Sequence, residues 1–204
     1  SNTRINDKFN DNLFFSCCYY KETYIKCSDF VKSNFSEYYN CSKQCYKKSL
    51  QFENNYYNIA NKIYKNVLKE INPEANIYLT GHSLGAAIAN IVGIIYNKPT
   101  ITFSTPNIKH YLDLLEIKYN NSLLQIYNFG INSDPIFMGT CNGMLSTCYY
   151  LGYIMKTKCN IGYKCIYNSK EKLNLSENIY SHKLQYLINK ILPYWKTDFP
   201  TCNI

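Results

Sequence analysis

The feature that most constrains this chain is a change of hydrophobic period near residue 80. Upstream, Phe52, Tyr56, Ile59, Ile63, Val67 and Ile71 recur three and four residues apart, which predicts an amphipathic helix from Ser49 to the breaker Asn72-Pro73. A short apolar run from Asn76 to Thr80 then meets Gly81, and Leu84 to Tyr96 follows as small and aliphatic residues without a breaker before Lys98-Pro99. That pattern is strand, tight turn and buried helix. Thr100 to Thr105 is a β-branched strand stopped by Pro106, Ile108 to Ile117 reads as helix, and Leu123 to Ile131 is another buried strand. The alternation β-α-β-α-β predicts an α/β fold with a mostly parallel sheet covered on both faces. A further strand is expected at Lys164 to Tyr167. A last helix, from Glu177 to Leu192, would place Ile179, Leu184, Leu187, Ile188 and Ile191 on one side. With 204 residues, no internal repeat and no linker, residues 1–204 are expected to form a single domain.

At the turn, Gly81-His82-Ser83-Leu84-Gly85 fits G-x-S-x-G, in the strand-to-helix setting that this motif needs. Such a turn pushes Ser83 into a strained, exposed position, and side chains at Gly81 and Gly85 are expected to collide with neighbouring backbone. The helix starting near Leu84 would aim its N–H groups, that of Leu84 above all, at negative charge developing beside Ser83.

A serine hydroxyl needs a base to take its proton and an acid to orient that base. With this turn the order along the chain is nucleophile, acid, histidine. Beyond Ser83 the histidines are His110, inside a predicted helix, and His182, at the start of the last one. The acids are Asp113, Asp134 and Asp198, with Glu116, Glu171 and Glu177 behind them. Asp134 alone directly follows a buried strand, and parallel sheets carry functional residues beyond the carboxyl ends of their strands. Ser83, Asp134 and His182 are therefore the candidate catalytic set. A histidine base works only when neutral, so activity is expected to fall as pH drops through the histidine titration.

Ten cysteines favour an oxidising compartment. Residues 1–48, polar and carrying Cys17, Cys18, Cys27, Cys41 and Cys45, read as an irregular covering segment stapled by disulfides. Zinc is not expected. Cys41/Cys45 and Cys159/Cys165 are poorly spaced as ligand pairs, and only three histidines exist, His82, His110 and His182. Sequons at Asn34, Asn40, Asn120 and Asn174 are expected glycosylation sites on a secretory route. The net charge of +8 comes from scattered lysines rather than a basic stripe, which argues against a nucleic-acid partner. No run of 18 apolar residues is present and the N-terminus is polar, so any export signal or anchor is expected outside this chain.

GHSLGAAIANIVG, followed by a strand ending in Pro106, resembles the fungal-type (class 3) α/β-hydrolase lipases. SDPIFMGTCNGMLSTC and NDKFNDNLFFSCC are similar to the autophagy-related vacuolar lipases of fungi, and the resemblance covers most of residues 6 to 190. It implies Ser83 as nucleophile, Asp134 as acid and His182 as base, with no cofactor. It also implies a phospholipid or acylglycerol substrate in membranes or vesicles, delivery by the endosomal route in multivesicular-body vesicles, and vesicle breakdown in the vacuole lumen. Two departures stand out. Ala86 occupies the position where the family has a second glycine, and the family's strand and turn carrying the first oxyanion donor lie upstream of NDKFNDN. The N-terminal strands are therefore expected to be missing from this chain, as in a fragment of a longer enzyme or a complete protein with weakened chemistry. The alternative function is a catalytically silent module of this fold that binds lipid or protein. A third reading keeps the triad and takes a soluble ester.

Overall fold

The computed structural model describes residues 2–15, 50–141, 145–151, 153 and 161–204. Among the described residues the centre is a five-stranded sheet in sequence order, β1 (Leu79–His82), β2 (Thr100–Phe103), β3 (Ile126–Ile131), β4 (Tyr163–Tyr167) and β5 (Thr201–Asn203). The first four strands are parallel and β5 runs antiparallel to β4. The fold is thus the α/β class expected, with a mostly parallel sheet. The first strand begins at Leu79 rather than Asn76, because pairing starts where the Leu79 N–H donates to Pro99 O (2.9 Å). That shift makes His82 the last residue of β1. Likewise β2 stops at Phe103, since Ser104 turns to φ 49°. β3 starts at Ile126, after a 3-10 turn over Asn121–Leu123 in which Asn120 accepts from the Ser122 N–H.

Several helices differ from their sequence patterns. Within the segment expected to be irregular, Asn2–Phe15 is a helix (α1) that joins the core through Leu13 and Phe14; the Phe14 ring meets Tyr111 edge to face at 4.9 Å. Its low hydrophobicity hid it, because part of its buried face is asparagine. Asn10 donates to Asn6 O and Asn54 O and accepts from the Tyr56 N–H, so a buried amide docks α1 onto the next helix without an unmet polar cost. That helix, α2 (Tyr56–Glu70), begins seven residues later than expected, at the Asn55 cap, and Phe52 lies in the turn before it. Only Tyr64 of α2 is buried, while Ile59, Ile63 and Val67 stay 39 to 58% exposed. α3 (Leu84–Tyr96) is buried along most of its length, as its uniform apolarity requires. α4 (Lys109–Leu114) is shorter than expected. Short helices follow at α5 (Pro135–Met138), α6 (Thr147–Tyr150) and α7 (Ser169–Lys172).

The continuous last helix is not there. A 3-10 turn (Ile179–His182), one α turn (α8, Leu184–Tyr186), a π segment (Leu187–Ile191) and a second 3-10 turn (Leu192–Lys196) follow one another. Of the expected stripe Leu187 and Ile191 are buried, whereas Leu184 and Ile188 are exposed. Widening to π register brings Leu187, Ile191 and then Trp195 onto one line against Phe103, Phe129 and Tyr167 of the sheet. The other sheet face carries the larger core, of Leu13, Phe14, Ala87, Ile91, Tyr111 and Ile126 among others. The covering is uneven, since Ile101 and Tyr127 remain partly exposed. Asn128, in the middle of the sheet, accepts from Thr102 Oγ1 and Asn90 Nδ2 and donates to Ile161 O, so its buried amide ties β2, β3 and α3 to the start of β4.

Two disulfides are described, Cys141–Cys148 and Cys165–Cys202, the second joining directly opposed residues of β4 and β5. Cys17, Cys18, Cys27, Cys41, Cys45 and Cys159 lie outside the described residues. Among the described residues no helix is long and apolar enough to cross a membrane.

Candidate active site

Ser83 sits between β1 and α3 with φ 53° and ψ −121°, a conformation that costs a non-glycine residue on the order of 1–3 kcal/mol. Both neighbours enforce it: the Ser83 N–H donates to Phe103 O (3.1 Å) and its carbonyl accepts the first helical bond, from Ala87 (3.0 Å). A serine at a helix N-cap ordinarily turns its oxygen onto the first-turn N–H groups. Here it makes no such cap, and its Oγ points to His182 instead. Among the described residues no acceptor outside α3 meets the N–H of Leu84, at the start of that helix. The two motif glycines differ. A Cβ on Gly81 would lie 2.4 Å from the Gly85 C and O atoms and 2.7 Å from Ala86 N, so strand and helix could not meet. A Cβ on Gly85 meets nothing within 4 Å among the described residues, which corrects the expectation that both would collide. The clash is one-sided because the Gly81 Cα faces the α3 backbone, whereas position 85 points away from it.

Asp134 follows β3 and caps α5, its Oδ1 accepting from the N–H groups of Ile136 (2.9 Å) and Phe137 (3.2 Å). α5 can lie this close because Gly130 has no side chain; a Cβ there would be 2.4 Å from the Phe137 ring. The cap uses one carboxylate oxygen and aims the other. Fully buried, Asp134 accepts through Oδ2 from His182 Nδ1 (2.9 Å). A carboxylate can only accept, so Nδ1 carries the proton and the bare Nε2 accepts from the Ser83 hydroxyl (2.7 Å). The three residues chosen from sequence, 48 to 99 positions apart, thus form one hydrogen-bonded chain.

His182 ends the 3-10 turn rather than starting a helix. Asn178 caps that turn, its Oδ1 accepting from the Ser181 N–H, and its own N–H donates to Ser133 O (3.1 Å), next to Asp134. The other acid candidates lie elsewhere. Asp113 pairs with Lys109 at 2.6 Å, Asp198 with Lys172, and Glu177 with Lys170 at 2.6 Å. Glu171 accepts from Asn168, and Glu116 is exposed at φ 55°. His110 belongs to α4.

Two residues near the site were not singled out in the sequence. His82 donates from Nε2 to the carbonyl of His182 (2.9 Å), and the two rings lie 5.4 Å apart. Burial, and the charge that His182 can carry, hold the His82 ring below the ordinary histidine range. Asp11, on α1, has its carboxyl pushed up to about 7 by burial, with the Tyr153 hydroxyl (3.3 Å) pulling it back and Asp7 adding to the rise. The signal for Asp11 was the i, i+4 pair Asp7/Asp11, legible only once α1 is known to be a helix. Among the described residues no cluster of three His, Cys, Asp or Glu side chains could hold a metal ion.

Residues 21–130 match the family described as Lipase (class 3). The chain belongs to that family. Its similarity to curated proteins agrees: the protein named "Putative lipase ATG15" of Saccharomyces cerevisiae (strain YJM789) is 39% identical over 194 residues, 92% of this chain and 36% of that protein. The Eremothecium gossypii protein of the same name is 39% identical over 197 residues, covering 93% and 35%. That of Candida albicans is 36% identical over 200 residues, covering 96% and 33%. This class 3 lipase chain therefore spans about a third of the length of the curated relatives it matches.

Proposed function

We propose that this chain carries the catalytic centre of a serine esterase that hydrolyses acyl esters of membrane lipids or triacylglycerols. The carrying observation is the unbroken relay from Ser83 Oγ through His182 to Asp134, at 2.7 and 2.9 Å. His182 Nε2 takes the Ser83 proton as Oγ attacks the ester carbonyl, and Asp134 steadies the imidazolium. Negative charge gathers on the former carbonyl oxygen, where the Leu84 N–H and the start of α3 stabilise it. The imidazolium then protonates the departing alcohol and leaves an acyl-Ser83. Water, deprotonated by the same ring, releases the fatty acid and restores the hydroxyl. No metal or organic cofactor enters these steps.

The lipid substrate is supported by family membership and by the lipase name of the relatives. In keeping with the sequence resemblance, we place the activity in vacuolar breakdown of autophagic or endosomal vesicles, reached through the secretory and endosomal pathway. Asn120 and Asn174 are exposed, which supports glycosylation there; Asn34 and Asn40 lie outside the described residues. One sheet and the helices packed on it contain all three reacting residues, in support of residues 1–204 acting as a single domain.

A serine-directed fluorophosphonate tests the reading. Stoichiometric labelling of the full-length protein, lost in Ser83→Ala, is expected. A folded protein that takes no label would replace the esterase with a silent lipid- or protein-binding module. Faster turnover of micellar than of monomeric esters is expected for a lipase, and the reverse would point to a soluble ester.

A further inference from the structure

Every element that carries His182 is irregular, yet its imidazole must meet a hydroxyl on one side and a carboxylate on the other. A side chain is aimed only as well as its main chain is held. The 3-10 turn ends at His182, and among the described residues no main-chain N–H donates to the His182 carbonyl. That is the ordinary state of a carbonyl at the end of a helical turn, which needs an outside partner. The partner is the His82 ring, 100 residues away in sequence, whose Nε2 lies 2.9 Å from the carbonyl oxygen. A carbonyl can only accept, so the His82 proton is on Nε2.

We propose that His82 is a positioning residue, fixing the main chain of His182 so that its imidazole reaches Ser83 and Asp134 together. Two consecutive residues then grip one histidine at both ends: His82 holds its carbonyl, and Ser83 meets its ring. The grip is stiff because His82 is the terminal residue of β1, paired in register with Phe103, and Ser83 is pinned to Phe103 O. The opposite end of the turn is tied by the bond from the Asn178 N–H to Ser133 O. His182 is thereby referred to the ends of both β1 and β3, the strands that place Ser83 and Asp134. The neutral His82 ring suits this role, since a second cation 5.4 Å away would oppose the imidazolium that His182 becomes. The identity of the residue before the serine is thus set by a donor requirement as well as by packing.

The inference rests on the esterase reading, and the test separates the two. Gln places its amide nitrogen where His has Nε2, whereas Asn places it near Nδ1, out of reach of the carbonyl. In the full-length protein, His82→Asn is expected to slow fluorophosphonate labelling of Ser83 and to lower kcat by roughly 10- to 100-fold, the cost typical of a small misplacement of a reacting group, with KM and thermal midpoint little changed. His82→Gln is expected to restore both rates to within about threefold of the native protein. Should His82→Asn fail to fold, His82→Phe keeps a ring beside His182 without a donor, and the same loss is expected. Equal rates for the Asn and Gln variants, fast or slow, would overturn the positioning role while native labelling lost in Ser83→Ala leaves the esterase standing. Absence of labelling in the native protein would remove both.

Discussion

Ser83 and Asp134 project from the carboxyl ends of parallel strands, whereas His182 comes from a stretch in which no helical piece exceeds five residues. The first two are placed mainly by the turns they sit in, with Ser83 also bonded to Phe103 on the adjacent strand. The turn between β1 and α3 sets the strained dihedrals of Ser83, and the cap on α5 orients Asp134 within three residues of itself. His182 is placed by long-range bonds instead: its ring meets Ser83 and Asp134, its carbonyl meets His82, and its turn is tied to Ser133. A group held by its own neighbours tolerates change far away. A group held by distant partners is expected to be the more sensitive to losing one of them.

The largest effect is expected at the carboxylate. Asn at an N-cap is as good as Asp, so Asp134→Asn should leave α5 and the thermal midpoint nearly intact while removing the charge behind His182. A fall in kcat of about 10³ to 10⁴ is expected, from initial rates on a micellar ester. A fall of less than tenfold would mean that the His182 ring is held well enough without it.

A smaller effect is expected at the glycines of the Ser83 turn. Gly81→Ala drives a Cβ into the α3 backbone, so a loss of about 2–3 kcal/mol is expected in urea unfolding, together with loss of activity as the turn opens. Gly85→Ala meets nothing among the described residues and should be within about 1 kcal/mol of the native protein. Equal losses at the two positions would show that the glycines matter for the motif as a whole rather than for one close approach.

The smallest expected effect falls on α1, whose Asp11 feels the charge of His182. Its carboxyl titrates near 7 in the folded protein, against 3.8 as its ordinary value, so folding favours the protonated form. The stabilisation is full below about pH 4 and is lost as pH rises through about 7. Asp11→Asn should flatten that slope and stabilise the protein at pH 8 by roughly 1–2 kcal/mol, read from denaturant midpoints at pH 5 and 8. An unchanged slope would place the titrating group elsewhere.

Much of this arrangement was legible in the sequence. The period change around Gly81 marked the strand, turn and helix, and the position of Asp134 just beyond a buried strand singled it out from five other acids. What escaped reading had a shared physical cause. α1 buries Asn10, whose amide is satisfied by backbone groups, β5 is three residues held against β4 by a disulfide, and α2 exposes most of the stripe that announced it. Each depends on partners that no local pattern encodes. The C-terminal stripe likewise suggested a regular helix, but the sheet surface draws Leu187, Ile191 and Trp195 into a wider winding.

Residue order alone therefore determined the chemistry available: a serine in a glycine turn, an acid after a strand, a histidine downstream, and apolar runs of the right lengths to bury a parallel sheet. Tertiary structure decided which histidine nitrogen faces the serine, that the His82 ring meets the carbonyl behind it, and that, among the described residues, a side chain would collide at Gly81 and not at Gly85. The division follows range. Turns, caps and periodicity act over a few residues and are written where they act, while the bonds that aim His182 join positions 48 to 100 apart and exist only once the sheet has brought them together.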